Sequence, residues 1–373
     1  MAVKILHTSD WHVGRRIRGR DRSDEQRAVL GELIDIAAAN KVDLTVVAGD
    51  LFDTGSPTPA SEQIVWQALL DLAEVAPVIA VGGNHDNLAR LDAVIPLLDL
   101  AGVTVVGTPR SSEDGGLVHL EQIGVKVGLL PFVSQRGIVR AEEIMGSDPD
   151  QHAGLYEERL RRLVEVLTAS MSTETVNLFV GHLSVYGAEA GGGEHIFDYA
   201  VPASLFPGHL SYVALGHYHR QQKMPHASAV WYSGSPMQLD FGEVDDSKGA
   251  LLVEASPGLP AKVTSIPMSA GTRLVTLRGT LEQVLGRSDE VAGAYVKVIL
   301  DEAARVGLAD EVRHGIPGVV DVILETPASR LRDPEPRQRL RPADAFNRYL
   351  DERGVSDKAL EDLFVELLDE VAG

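Results

Sequence analysis

The chain has 373 residues, of which 44% are hydrophobic and 24% charged, which is typical of a globular protein with two or three domains. Its lack of cysteine excludes disulfides and thiol chemistry, and its formal net charge of -20 argues against a protein that coats nucleic acid by bulk electrostatics. No apolar run reaches the ~18 residues of a membrane span and no room for a signal peptide precedes the first strand, so we expect a cytoplasmic protein.

Strand-like and helix-like patterns alternate over the first two thirds of the chain. Near-continuous apolar runs predict strands at Val3–Thr8, Leu44–Ala48 and Val78–Val81. Apolar residues at helical spacing predict helices at Asp24–Ala39 and Ser61–Leu72. The later elements predicted in this region are a helix at Leu155–Ala169 and strands at Thr104–Val106, Val125–Leu130, Thr175–Val180, Tyr212–Leu215, Val230–Ser233 and Ala250–Glu254. Because the last strands follow without intervening helices, we predict a layered α/β domain of mixed sheets flanked by helices over residues 1–268.

Three smaller segments complete the predicted organisation. Strands at Arg273–Arg278, Ala294–Asp301 and Val319–Leu324 predict a small α+β capping domain over residues 269–329. The Arg- and Pro-rich stretch 330–342 predicts a linker. A pair of short helices is predicted over residues 343–373, with an apolar stripe that needs a surface to cover it; the stripe includes Phe346, Tyr349, Leu350, Leu360, Phe364 and Leu367.

Polar residues with metal-binding side chains follow five of the predicted strands. They are Asp10, His12, Asp50, Asn84, His182, His217 and His219. Strands of an open α/β sheet present their carboxyl ends at one edge, where residues distant in sequence converge. Carboxylates, an amide oxygen and imidazoles, without sulfur, suit borderline and hard divalent ions. We therefore predict a site for two adjacent divalent metal ions, and such sites mostly break phosphate esters.

A charge count supports an anionic substrate. Asp10 and Asp50 bring about two negative charges against the four positive charges of two divalent ions, while the amide and the imidazoles are neutral. The excess of roughly two positive charges suits a phosphodiester anion.

The sequence around these residues resembles the calcineurin-like metallophosphoesterases. The strings HTSDWHVG, GDLFDTGSP, GGNHD, GHLS and GHYH are similar to the five motifs of that family, and the resemblance covers Val3 to about Pro267. Phosphatases of the family continue the second motif as GDxVDRG and end the third in GNHE. This chain has GDLFDTG and GNHD, and ends the region with SGSPMQLDFGE, so the resemblance favours the nuclease branch.

The resemblance also implies roles for individual residues. It implies one metal ion bound by Asp10, His12, Asp50 and His219, and a second bound by Asp50, Asn84, His182 and His217. It further implies that His85 meets the scissile phosphate or protonates the leaving oxygen. We expect Asp53 to orient His85 through its carboxylate, with an ordinary Asx turn as the alternative. Asp86 is expected to neighbour His85 or to cap backbone groups.

A cluster of arginines follows the first metal motif. These residues are Arg15, Arg16, Arg18, Arg20 and Arg22. One interpretation is a solvated loop whose charges pair with nearby acidic residues. The other is an arm beside the active site that contacts phosphates and locates DNA without reading sequence. The position directly after the metal motif favours the second.

The resemblance implies a Mn²⁺-dependent DNA nuclease, acting as a double-strand exonuclease and as an endonuclease on single strands and hairpins. It implies a coiled-coil ATPase partner bound by the C-terminal helix pair, and a nuclease homodimer within a heterotetramer. Docking of that helix pair onto its own chain remains an alternative. Two other functions also remain open, namely a phosphodiesterase for small substrates and a scaffold that binds DNA ends without cleaving them. The basic loop and terminal helices argue against the first, and the complete ligand set argues against the second.

Overall fold

In a computed structural model, the described residues of the protein form three β-sheets. The structure describes residues 2–134, 137–138, 156–189, 200–325, 346–350, 353, 357–361 and 363–364. The helices are α1 Ser23–Asn40, α2 Pro59–Val75, α3 Leu88–Leu98, α4 Tyr156–Thr168, α5 Leu281–Leu285 and α6 Leu308–Gly315. The strands are β1 Val3–Thr8, β2 Leu44–Ala48, β3 Val78–Val81, β4 Val103–Val106, β5 Leu117–Leu120, β6 Val125–Leu130, β7 Val176–His182, β8 Tyr212–Gly216, β9 Gln222–Met224, β10 Ala229–Tyr232, β11 Gly249–Ala255, β12 Lys262–Pro267, β13 Leu274–Gly279, β14 Tyr295–Leu300 and β15 Val319–Leu324.

Two six-stranded sheets form the larger part of the fold. The first has the order β12-β11-β1-β2-β3-β4 and the second the order β5-β6-β7-β8-β10-β9. In the first sheet β1 to β4 are parallel and β11 is antiparallel to β1. In the second, β6, β7, β8 and β10 are parallel. Both sheets are mixed, and this confirms the predicted fold class.

The two sheets pack face to face and are covered outside by helices. Buried residues of both sheets, among them Ile5, Val46 and Leu178, form one apolar cluster between them. Helices α1 and α2 cover the first sheet through a second cluster that contains Leu33 and Leu69. Helix α4 covers the second sheet through a third cluster. The strands are apolar on both faces because each sheet is buried on both sides.

A third sheet of three parallel strands, in the order β13-β14-β15, packs with α5 and α6 around its own apolar cluster. The segment before it is held by α1, since Glu32 accepts hydrogen bonds from the backbone N–H groups of Ser269 and Ala270. The division of the chain at residues 268 and 269 stays a prediction. The predicted linker 330–342 lies outside the described residues.

The structure contains elements that were not predicted. Helix α3 contains Pro96, a residue that disfavours a helix interior because it lacks a backbone donor. Asn87 still begins this helix by accepting a hydrogen bond from the Arg90 N–H. Strands β5, β9 and β12 are short or exposed, so they lack the continuous apolar pattern. No helix in the described ranges is long and apolar enough to span a bilayer.

A polar contact crosses the apolar interface between the two large sheets. The His7 Nδ1 atom on β1 lies 2.8 Å from the Tyr212 hydroxyl on β8, and both side chains are completely buried. Burial lowers the pKa of His7 to about 3, so the imidazole is neutral at pH 7. The contact pairs His7 Nδ1 with the hydroxyl, whereas His7 Nε2 is buried without a hydrogen-bond partner among the described residues.

We expect Tyr212→Phe to lower the free energy of unfolding by about 1–3 kcal/mol, because it leaves the His7 nitrogen buried without its partner. Urea denaturation measures this change. The double variant His7→Leu/Tyr212→Phe should recover part of the loss, since both polar groups are removed together. Equal stability of Tyr212→Phe and the parent protein would show that the contact does not stabilise the fold.

Candidate metal centre

The candidate site lies where β1, β2, β3, β7 and β8 end. Their parallel pairings bring the polar residues that follow them to one edge of the sandwich. Among the described residues, six other than glycine have positive φ, and four of them belong to the predicted ligand set: Asp10 at 53°, His12 at 45°, Asp50 at 52° and His217 at 108°. Residues other than glycine rarely adopt a positive φ, and residues with this strained backbone cluster at functional sites.

Glycines beside the polar residues allow their close approach. A Cβ atom at Gly83 would lie 2.1 Å from the Asp50 Oδ1 atom, and one at Gly49 would lie 2.2 Å from the His182 Nδ1 atom. Neither distance is possible between non-bonded atoms. The glycine in each motif is therefore required by the position of a carboxylate or an imidazole from another motif.

The His182 ring lies close to three oxygen atoms, from Ala48, Asn84 and Asp50. Its Nδ1 atom lies 2.8 Å from the Ala48 carbonyl oxygen, which only accepts, so Nδ1 carries the hydrogen and Nε2 has a lone pair. That Nε2 atom lies 3.0 Å from Asn84 Oδ1 and 3.4 Å from Asp50 Oδ2. His217 approaches the same Asn84 oxygen through Nδ1 at 2.9 Å. A cation between these atoms would satisfy all of them.

The protonation behaviour of His182 reflects the same convergence. Burial opposes the charged imidazole, but the Asp50 and Asp10 carboxylates and the Ala48 carbonyl together outweigh it and raise the pKa of His182 to about 9. Burial likewise opposes ionisation of Asp50, whereas His182 lowers the pKa of this carboxyl well below its usual range. The pocket therefore favours positive charge between these two side chains, supplied by a proton or by a metal ion.

A second convergence includes the same Asp50 oxygen. The His219 Nδ1 atom lies 2.9 Å from Glu243 Oε1, so Nδ1 donates to the carboxylate and Nε2 has a lone pair. His219 Nε2 lies 3.0 Å from His12 Nε2, which in turn lies 3.4 Å from Asp50 Oδ2. Burial lowers the pKa of His12 to about 4, so this imidazole is neutral and suited to a metal ion.

Asp10 joins the two convergences. Its Oδ1 atom accepts the His217 backbone N–H at 3.0 Å, and its Oδ2 atom accepts the Ser9 hydroxyl. Burial raises the pKa of Asp10 to about 6, and a bound cation would favour its ionised form. Ligand atoms within 4.8 Å of one another form three groups that could hold a metal ion: Asp10, His12 and His219; His12, Asp50 and His85; and Asp10, Asp50 and His182. The structure thus brings all seven predicted residues together, and their donor atoms fit divalent metal ions.

His85 lies at this site with a different contact to Asp53 from the one expected. Its Nδ1 atom lies 3.0 Å from the Asp53 backbone carbonyl oxygen, not from the carboxylate. The carboxylate instead lies 3.2 Å from Arg15 Nη1 and 3.6 Å from His12 Nδ1. In the turn after Asp50, the backbone carbonyl of Asp53 points toward the His85 ring and its side chain points elsewhere.

Asp86 caps backbone groups of two motifs. Its carboxylate accepts the N–H groups of Leu51, Phe52 and Gly83 at 3.2, 2.9 and 2.9 Å. It therefore ties the segment after β2 to the segment after β3, and so fixes Asp50 relative to His85.

Three arginines of the predicted basic loop have structural partners elsewhere in the fold. Arg22 is buried, pairs with Glu25 at 2.6 Å and donates to the Gln238 carbonyl, so its assignment to a DNA surface is wrong. Arg18 pairs with Asp321 and Arg20 donates to the Val319 carbonyl, both on the third sheet. The local sequence does not predict the contacts of Arg18 and Arg20, because their partners on the third sheet lie about 300 residues further along the chain.

The other two arginines of the loop have partners close to the site. Arg15 lies 3.2 Å from the Asp53 carboxylate, and Arg16 donates to the Gly19 carbonyl oxygen at 2.6 Å within its own loop. Both therefore lie close to the first metal motif, and their contact with DNA stays a prediction.

The described part of the C-terminal region has a paired aromatic contact. The rings of Phe346 and Phe364 stack with centroids 3.8 Å apart. Tyr349 and Leu360 are 51% and 37% exposed, whereas Leu350 is 4% exposed. The assignment of Leu350 to a partner surface is therefore wrong, because it is buried already. Leu367 lies outside the described residues.

Two residues that hold the site were not identified from the sequence. Glu243 closes the string SGSPMQLDFGE, but no spacing shows that it contacts His219. Ser9 precedes Asp10, and its hydroxyl also lies 2.7 Å from the Ser233 hydroxyl. The string SGSPMQLDFGE is the signal in the sequence for Glu243, because it contributes to the family resemblance although no role is assigned to its residues.

Comparison with known proteins defines the class of the protein. The family model for calcineurin-like phosphoesterases matches residues 3–221, so the chain belongs to that family. The SbcD subunit of the SbcCD nuclease of Bacillus subtilis (strain 168) is 30% identical over 98% of this chain and 97% of that protein. The SbcD proteins of Rhodobacter capsulatus and Escherichia coli (strain K12) are 32% and 28% identical over 78% and 77% of this chain, and these matches cover 76% and 74% of those proteins. Within the family the chain therefore belongs to the SbcD group, which confirms the resemblance found in the sequence.

We expect Glu243→Gln to weaken Mn²⁺ binding by about 10- to 100-fold, because the carboxylate that orients His219 is lost. Isothermal titration calorimetry measures the affinity. Asp245→Asn removes a charge from an exposed position two residues away and serves as the control. Equal affinities in the two variants would contradict a role for Glu243 in holding His219.

Proposed function

We propose that this chain is a two-metal DNA nuclease, the nuclease subunit of an SbcCD-like complex that processes DNA ends. The observation that carries the proposal is the convergence of two sets of acceptor atoms on Asp50 in a member of the SbcD group. In this proposal one ion is held by Asp10, His12, Asp50 and His219, and the other by Asp50, Asn84, His182 and His217. Mn²⁺ is the proposed ion, since the mixed oxygen and imidazole donors suit it.

The metal pair supplies a nucleophile at neutral pH and stabilises the charge that develops on the phosphate. The chain's own residues fix the geometry. The backbone N–H of His85 donates to Asp50 Oδ1 at 2.9 Å and so fixes the carboxylate, whose Oδ2 atom lies 3.4 Å from His12 Nε2. The Asp53 carbonyl accepts from His85 Nδ1, so Nε2 is the free ring nitrogen, and in the imidazolium form of His85 it would give its proton to the leaving oxygen and leave the ring neutral.

Three substrates separate the proposed function from its alternatives. The purified chain with Mn²⁺ is tested on linear duplex DNA, on a DNA hairpin and on bis-p-nitrophenyl phosphate, with and without the ATPase partner. Degradation of duplex and hairpin supports the nuclease. Cleavage of the small ester alone supports a small-substrate phosphodiesterase, and the absence of all cleavage supports a non-cleaving scaffold.

We expect His85→Ala to keep both metal ions and to lose phosphodiesterase activity by about 10²- to 10⁴-fold, the usual contribution of a positioned acid or base. Metal analysis and hydrolysis of bis-p-nitrophenyl phosphate measure the two properties. His119→Ala, at a half-exposed position on β5, is the control. Because His85 also lies within ligand distance of His12 and Asp50, loss of an ion in the variant would show that it is a ligand.

Arg15 and Arg16 are the proposed phosphate contacts. The Arg15 side chain is 38% exposed and is held by Asp53, the residue whose carbonyl contacts His85. This places a guanidinium beside the proposed active site. Arg22 and the two arginines bound to the third sheet instead contact partners within the protein.

Replacing Arg15 and Arg16 by Gln should lower the slope of log K against log salt for duplex binding by about 1–2, since each phosphate contact contributes about 0.9. Fluorescence anisotropy at several salt concentrations gives the slope. The control replaces Arg27 and Arg287, which are 49% and 47% exposed, and should leave it unchanged. An unchanged slope in the first variant would leave Arg15 and Arg16 as surface residues.

The assembly is also part of the proposal. The exposed Tyr349 and Leu360 support binding of the C-terminal helices to an SbcC-like ATPase subunit. Leu97 near the end of α3 and Leu100 just after it, 69% and 87% exposed, offer an apolar surface for pairing of two copies. A homodimer that binds two ATPase subunits would form a heterotetramer.

A further inference from the structure

Lys248 lies outside the proposed ligand set, and the polar end of its mostly buried side chain contacts His219 and the carboxylate that binds the His219 ring. Its side chain is 7% exposed. The Nζ atom lies 2.8 Å from Glu243 Oε2, 2.9 Å from Ser235 Oγ and 2.9 Å from the His219 carbonyl oxygen. An ammonium group has three N–H donors, and these three acceptors match them.

Glu243 connects Lys248 to the imidazole ring. One carboxylate oxygen accepts from His219 Nδ1, and the other lies against Lys248 and accepts the Leu239 backbone N–H at 2.9 Å. The Glu243 side chain is 1% exposed. A buried carboxylate without a counter-charge is unfavourable, and Lys248 supplies that charge.

Lys248 therefore holds His219 in two ways. It fixes the ring through Glu243 and the backbone through the carbonyl oxygen. The imidazoles of the other proposed ligand set are held differently, because His182 donates to the Ala48 carbonyl and His217 approaches Asn84. Neither contact involves Lys248.

We propose that Lys248 is a positioning residue for His219 and sets the affinity of one metal ion of the pair without contacting either ion. The proposal rests on the proposed two-metal function. It assigns to the ion bound by Asp10, His12, Asp50 and His219 a support that the second ion lacks.

The test compares Mn²⁺ binding to the metal-free full chain and to Lys248→Met, which keeps the aliphatic stem and removes the charge. Calorimetry should show one ion bound at least about tenfold more weakly and the other unchanged, the usual effect of losing a residue that orients a metal ligand. Lys262→Met removes a lysine that is 73% exposed and paired with Glu254, and it should bind both ions as the parent does.

A double variant keeps the test valid if Lys248→Met fails to fold, which circular dichroism reports. Lys248→Met/Glu243→Gln has no unpaired buried carboxylate and should fold. Its affinity is compared with that of Glu243→Gln alone, and the further loss should be smaller than about tenfold, because both side chains act on His219. A further loss of about tenfold or more would contradict action through a shared chain of contacts.

The outcomes distinguish this inference from the function on which it rests. If the parent chain binds two ions and Lys248→Met binds both with unchanged affinity, the inference is overturned and the proposed function stands. Equal weakening of both ions overturns the inference as well, because it shows a general effect on the site. If the parent chain binds fewer than two ions, the proposed two-metal function itself fails.

Discussion

The position of the Asp50 carboxylate is the constraint on which the rest of the site depends. Its Oδ1 atom accepts the His85 N–H, and its Oδ2 atom lies 3.4 Å from the Nε2 atoms of both His12 and His182. Acceptor atoms at these separations repel one another unless positive charge lies between them. The surrounding structure therefore has to hold a group of atoms that is unfavourable unless a proton or a metal ion supplies that charge.

The fold meets this requirement with rigid elements and fixed donors. Asp50 has positive φ at the end of a fully buried strand, and Gly83 leaves space for its carboxylate. Asp86 ties together the two segments that carry Asp50 and His85. The Ala48 carbonyl binds Nδ1 of His182, and Glu243 binds Nδ1 of His219. These contacts leave the lone pair of each ring on Nε2. Each of these features orients a lone pair toward the place where a cation would bind. The strained backbone and the buried polar groups therefore both favour cation binding.

The sequence predicts the convergence of these residues but not the contacts that fix their atoms. Buried strands and the polar residues that end them follow from continuous apolar runs, and the observed β1, β2 and β3 have the predicted bounds. The contact of Glu243 with His219 depends on the path of a loop, which no periodicity encodes. Arg22 belongs to a cluster of charges that is typical of a surface, yet Glu25, Gln238 and the Tyr295 ring enclose it. Tertiary packing therefore decides which polar residues of a motif are exposed, and the local sequence decides only where the motif lies.

A crystal soaked in Mn²⁺ and measured at the manganese absorption edge tests the central claim most directly. The account predicts two anomalous peaks at the ends of β1, β2, β7 and β8, both in contact with the Asp50 carboxylate. A single peak, or two peaks of which one does not touch Asp50, would contradict it.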